Sequence, residues 1–96
     1  MISRLDISRV ERLFGSRTRA LILAKLLEES GESFYLRELS EQLDLAFSAV
    51  HREMENLERL GLVSEERRGR ERFFGINPDN EIVEGLRIIF VRCRRK

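Results

Sequence analysis

The sequence predicts a mainly α fold carrying a small β-sheet, an α+β arrangement, and three stretches make that prediction. Leu36, Leu39 and Leu43 recur at helical spacing with polar residues between them, which gives a short helix one apolar stripe. Asp44 to Ala46 interrupt, and Val50, Met54, Leu57 and Leu60 then set up a second stripe of the same period, closed by Gly61, a residue that takes positive φ where a helix stops. From Val63 to Ile76 two extended segments flank an Arg68-Gly69-Arg70 tip, the glycine standing where a tight hairpin turn demands one. The order is a helix-turn-helix over about 36–60 followed by a wing over about 62–77. That succession is more specific than either part alone.

The remaining elements follow in chain order. Met1 to Phe14 carries Leu5, Val10, Leu13 and Phe14 among charged residues and predicts an opening helix. Gly15-Ser16 breaks it, and Ser16 is a good N-cap for the next helix. Between Thr18 and Glu29 the apolar residues Ala20, Leu21, Leu23, Ala24, Leu26 and Leu27 cover more than one face, so this helix belongs deep in the domain. Gly31 ends it, and Phe34-Tyr35 forms a short third strand against the wing. After the wing, Asn77-Pro78-Asp79-Asn80 reads as a turn and helix start. A terminal helix over about 80–95 places Ile82, Val83, Leu86, Ile89, Phe90 and Cys93 on one wide stripe, more apolar surface than the end of a small domain needs, as an interface would present. The tail, Arg92 and Arg94 to Lys96, is basic.

Ninety-six residues suit one domain, 1–96, and a hydrophobic share of 42% supports one modest core. No run approaches the length of a membrane span, and the start lacks a signal-peptide pattern. A single cysteine, Cys93, excludes an internal disulfide framework and fits a reducing compartment, so a cytoplasmic location is expected. On an apolar stripe that thiol is expected to be packed and inert. Charged residues make up 36% of the chain, almost all Arg, Glu and Asp, a balance that suits surface ion-pair networks. Net charge is only +1, and between Phe47 and Gly75 the arginines at 52, 59, 67, 68, 70 and 72 are matched by glutamates at 53, 55, 58, 65, 66 and 71. Any DNA footprint must come from how the charges are arranged rather than from their sum.

If the second motif helix buries Val50, Met54 and Leu57, then Ser48, His51, Arg52, Glu55 and Arg59 face outward. The candidates for base contacts are Phe47, Ser48, His51 and Arg52. Arginine can grip guanine bidentately and histidine can donate or accept at a base edge. The alternative is a solvated face on which Arg52 pairs with Glu55 or Glu53. Phe47 suits a thymine methyl or the core. Arg68 and Arg70 at the tip, with Tyr35 and Arg37 at the start of the motif, are the candidates for backbone or minor-groove contact. Tyr35 can equally serve only to seal the strand. Arg67 and Arg72 can pair with Glu65 and Glu71 across the strands. Phe73 and Phe74 alternate, so one is core and the other partly covered. An enzyme is hard to build here, with one histidine and one cysteine far apart and no phosphate-binding glycine loop; no cofactor or metal is expected.

LFGSRTRALILAKLL, FYLRELSEQLDLAFSAVHREMENLERLGLV and RRGRERFFGINPD together resemble the winged helix-turn-helix proteins of the ArsR-like group. The likeness extends to the small prokaryotic domains that also precede minimal nucleotidyltransferases, and it covers roughly Leu13 to Asp79. The resemblance implies a homodimeric, prokaryotic transcriptional regulator that binds double-stranded DNA and uses its terminal helix in dimers. On that reading the first and last helices meet a second copy through Leu5, Val10, Ile82, Leu86, Ile89 and Phe90. Two positions depart from the group's pattern. The turn glycine is Asp44, which tolerates left-handed backbone. The usual Ser or Thr cap is Ala46, which cannot cap, so the cap is expected to move to Ser48 or the helix end to fray. The paired cysteines of arsenic sensors are missing, which excludes metal sensing by that route. The competing reading is a protein-interaction module that kept the fold without DNA binding and partners a separate protein such as a nucleotidyltransferase.

Overall fold

The computed structural model describes residues 5–93. The expected helical residues Met1 to Arg4 and the basic Arg94, Arg95 and Lys96 lie outside them. The elements run α1 (Ile7–Phe14), α2 (Arg17–Glu28), β1 (Phe34–Tyr35), α3 (Leu36–Leu43), α4 (Phe47–Arg59), β2 (Val63–Arg68), β3 (Glu71–Ile76) and α5 (Glu81–Arg92). Five helices and a three-stranded antiparallel sheet of order β1-β3-β2 result, the α+β winged helix-turn-helix that the motif order predicts.

Each boundary has a local cause. The opening helix begins at Ile7 rather than at Met1, because the Asp6 carboxylate caps it by accepting from the Arg9 N–H. The Asp6 N–H in turn donates to the Cys93 carbonyl at 2.8 Å, which ties the start of the described chain to the end of α5. Ser16 caps α2 as expected, accepting from the Arg19 N–H at 3.1 Å. Asp44 does take left-handed backbone, φ 54°, and ends α3. Ala46 remains the N-cap residue of α4 with no side-chain bond. The cap does not move to Ser48, so the register of α4 is the one that the apolar stripe sets.

At the far end of α4, Gly61 has φ +75°. Its N–H donates to the Glu58 carbonyl at 2.9 Å and the Leu62 N–H donates to Leu57 at 3.0 Å, the double bond of a Schellman ending. The Gly61 carbonyl then accepts from the side-chain amides of Asn77 and Asn80, each at 3.0 Å. Because Asn80 also caps α5 by accepting from the Ile82 N–H, one glycine joins the end of α4, the exit of the wing and the start of α5.

The core lies between α2, buried along most of its length, and the inner faces of α4, the sheet and α5. Phe74 is buried while Phe73 is only partly covered, the alternation that a pleated strand imposes. Phe34 pairs with Phe74 and Tyr35 with Phe73, which makes β1 the third strand beside the wing. Cys93 is buried in this core. No helix among the described residues is long and apolar enough to cross a membrane.

Four residues expected at a subunit interface belong to this core instead. Leu5, Val10, Leu86 and Phe90 are all buried within the chain, Phe90 stacking on Phe14 with ring centroids 5.9 Å apart. The stripe on α5 is therefore largely consumed by α1 and α2, because the opening segment folds back over it. Ile89 is half-buried. Ile82 is exposed, as are Ile88, Val91 and Leu13.

Candidate nucleic-acid interface

Helix α4 buries Val50, Glu53, Met54 and Leu57, spaced i, i+3, i+4 and i+7. That stripe turns Phe47, Ser48, Arg52 and Glu55 to solvent and leaves His51 half-exposed. Glu53 is held across to α2 by Arg19, whose Nε donates to the carboxylate at 2.7 Å while Nη2 reaches its second oxygen at 3.5 Å. Arg52 therefore does not pair with Glu53, and Glu55 instead lies 3.6 Å from His51 Nδ1. Phe47 is 42% exposed and does not enter the core. The Arg37 guanidinium stands 5.0 Å above its ring, and His51 is its other neighbour at 6.3 Å.

The wing closes through a two-residue turn, since Arg68 pairs with Glu71 and leaves Gly69 and Arg70 between them. Gly69 has φ +64° at the first central position, the requirement of a type II′ hairpin. Arg70 is thereby exposed at the tip. An open groove runs between this hairpin and the start of the two motif helices, lined by Tyr35, Leu36, Arg37, Phe47, Arg70, Glu71 and Arg72. Tyr35, Arg37, Phe47 and Arg70, separate in sequence, share it.

The arginines near the groove divide into two sets. Arg72 bonds Glu65 diagonally across the hairpin and reaches Glu58 of α4 at 3.7 Å. This donation pulls the Glu65 carboxyl below the ordinary glutamate range against a smaller opposing effect of desolvation, and raises Arg72 in return. The expected partner Glu71 is not used by Arg72, because Glu71 lies on the opposite face of the strand. Arg67 lies 3.8 Å from Glu65 on its own strand. Arg68 bonds Glu66 at 2.8 Å and Ser33 at 3.1 Å. By contrast Arg37, Arg52 and Arg70 have no carboxylate partner among the described residues.

Sequence reasoning missed Arg19, Glu53, Ser33 and the two asparagines on Gly61. Glu53 was discoverable, because it occupies the i+3 position of the very stripe that Val50, Met54 and Leu57 define. Ser33 and Asn77 carry no local signal for partners so distant in the chain. Among the described residues no cluster of His, Cys, Asp or Glu could hold a metal ion.

Comparison with known proteins places this geometry. Among solved structures, reduced HlyU from Vibrio cholerae superposes with a TM-score of 0.66 at 23% identity, covering 86% of this chain and 82% of that one. MepR, a transcription regulator of the Staphylococcus aureus multidrug efflux pump MepA, gives 0.68 at 18% identity over 88% of this chain and 64% of its own. The transcriptional regulator BldR from Sulfolobus solfataricus gives 0.64 at 24% identity over 88% and 62%. The chain thus spans somewhat under two thirds of MepR and BldR, and at these identities the likeness is one of fold. No curated protein matches the sequence. The family model of the IclR helix-turn-helix domain matches residues 16–67, from the cap of α2 to the wing. With the helix-turn-helix, the wing and the groove between them all in place, the chain belongs to the IclR helix-turn-helix domain family and is a winged-helix DNA-binding domain.

Proposed function

We propose that the protein is a cytoplasmic, sequence-specific transcriptional regulator that works as a homodimer, with residues 1–96 acting as one domain. Helix α4 lies in the major groove of duplex DNA, where Ser48, His51 and Arg52 meet base edges and Phe47 meets a thymine methyl. Tyr35, Arg37 and Arg70 follow the phosphate backbone beside it. The observation that carries this reading is the placement of Arg37, Arg52 and Arg70 around one open groove without carboxylate partners among the described residues. A solvated, self-neutralised face would pair them, as the same region pairs Arg72 and Arg68.

The second copy is proposed to dock on α5 through Ile88 and Val91, which are 56% and 50% exposed one turn apart, with Ile82 and Leu13 nearby in sequence to the same two terminal helices. The ArsR-like resemblance of Leu13 to Asp79 supports that use of the terminal helix. Two half-sites one helical turn apart on the DNA are the expected target of such a pair.

The test joins Arg52→Ala with Arg70→Ala, both at exposed positions where folding is indifferent. The double variant should lose retention on duplex DNA while its unfolding curve stays that of the parent. Unchanged retention would favour a module that binds protein partners instead. Separately, Ile88→Asp with Val91→Asp should convert a dimer to a monomer in sedimentation; a parent that is already monomeric contradicts the dimer.

A further inference from the structure

Arg68 stands beside the wing tip, yet its side chain does not point away into solvent. It leaves the end of β2, passes over β3 with its guanidinium 4.4 Å from the Phe73 ring centroid, and reaches Ser33 just before β1. A single nitrogen, Nη2, donates both to the Ser33 hydroxyl at 3.1 Å and to the Glu66 carboxylate at 2.8 Å. The register explains the fit. Glu66 is opposite Phe73 and Tyr35 flanks Phe73 on the other side, so the outer face of the sheet offers a ring for the guanidinium to stack on with an acceptor at each edge.

We propose that Glu66 competes with DNA phosphate for Arg68, so that the protein binds duplex DNA less tightly than its wing arginines allow. This rests on the DNA-binding reading above. The free protein holds Arg68 strapped across the sheet, and a phosphate approaching the tip beside Arg70 draws it off Glu66. The strap is weak enough to yield. Its side chains are 54% and 63% exposed, and exposed pairs of this kind are worth little, whereas a phosphate contact gains from counterion release. It is still a subtraction from affinity, and it answers why Arg and Glu are so evenly matched through the wing. Arg72 is different in kind, because its carboxylate partners lie on both β2 and α4 and fix the wing to the recognition helix.

A double-mutant cycle on a random-sequence 20-base-pair duplex, titrated at several salt concentrations, tests the idea. Glu66→Gln should tighten binding roughly two- to fivefold, the ceiling that an exposed ion pair sets. The salt slope should steepen by up to about 0.9, the value of one added phosphate contact. Glu84→Gln, an exposed change on α5, should do neither. In an Arg68→Ala background the gain from Glu66→Gln should vanish. A gain that survives there undiminished would mean that Glu66 merely repels DNA by its charge, and overturns the competition; no gain in either background overturns it too. If the parent itself shows no salt-dependent binding, the DNA reading fails and takes the inference with it. Parent binding that weakens on Arg70→Ala while ignoring Glu66→Gln leaves that reading standing and removes only the competition.

Discussion

The junction behind helix α4 and the groove in front of it are built from the same residue types to opposite ends. Behind, Arg19 is locked to Glu53, Arg72 to Glu65 and Glu58, and the Gly61 carbonyl to two asparagines. In front, Arg37, Arg52 and Arg70 stand without carboxylates and Phe47 lies open. The paired groups set where α4 and the wing sit, and the unpaired ones are what that placement presents. A rigid scaffold holding exposed polar groups is how binding surfaces are generally made. The contrast also shows why a net charge of +1 says nothing about the groove: the glutamates are spent on the scaffold.

Substitutions on the two sides should therefore fail differently. The largest loss of stability is expected from Glu53→Ala, which strands Arg19 beside the core. Breaking a mostly buried charge pair from one side should cost about 2–3 kcal/mol in denaturant unfolding, and a loss under about 0.5 kcal/mol would show that the pair contributes nothing beyond solvation. Next comes Gly61→Ala. Its φ of +75° disfavours any side chain, and an added Cβ would lie 2.9 Å from the Asn80 amide nitrogen, so about 1–2 kcal/mol should be lost. If the midpoint is unmoved, the joint between α4, wing and α5 is softer than its hydrogen bonds imply.

On the groove side, Arg37→Ala should leave unfolding within about 0.5 kcal/mol of the parent and weaken duplex binding roughly fivefold to tenfold near 0.1 M salt, the value of one phosphate contact. A stability loss without an affinity loss would move Arg37 into the scaffold, as a lid on Phe47.

The smallest effect concerns pH. The Glu65 carboxyl titrates below its ordinary 4.5 because Arg72 donates to it. A group depressed in the folded state stabilises fully above its unfolded value and loses that contribution as pH falls through the folded one. Glu65→Gln should thus be slightly less stable than the parent at neutral pH and converge with it on acidification below about 4.5. Parallel curves down to low pH contradict the pairing.

How far the sequence reaches differs on the two sides as well. Periodicity located α3 and α4 from Leu39, Val50, Met54 and Leu57, and the glycine at 69 located the hairpin, since both signals are local. The groove residues Tyr35, Arg37, Phe47 and Arg70 were legible from their places in the motif. What was not legible depends on contacts between distant segments: Ser33 with Arg68, Asn77 with Gly61, and Asp6 with Cys93. The last of these decides the fate of the terminal stripe. An amphipathic pattern on α5 announces burial without saying by what, and here Leu5, Val10 and Phe14 of the same chain cover much of it. At Ala46 the poor cap proved tolerable, because the buried stripe rather than the cap holds the start of α4 in register.

The central claim is that the unpaired arginines form a phosphate-tracking surface on each of two subunits. The direct test is the salt dependence of binding by the unmodified protein to random-sequence duplex DNA. Three contacts from each subunit predict a log-log slope of about −5, from roughly 0.9 per phosphate. A weak, flat response across the same salt range would contradict it and leave the groove as a surface for a protein partner.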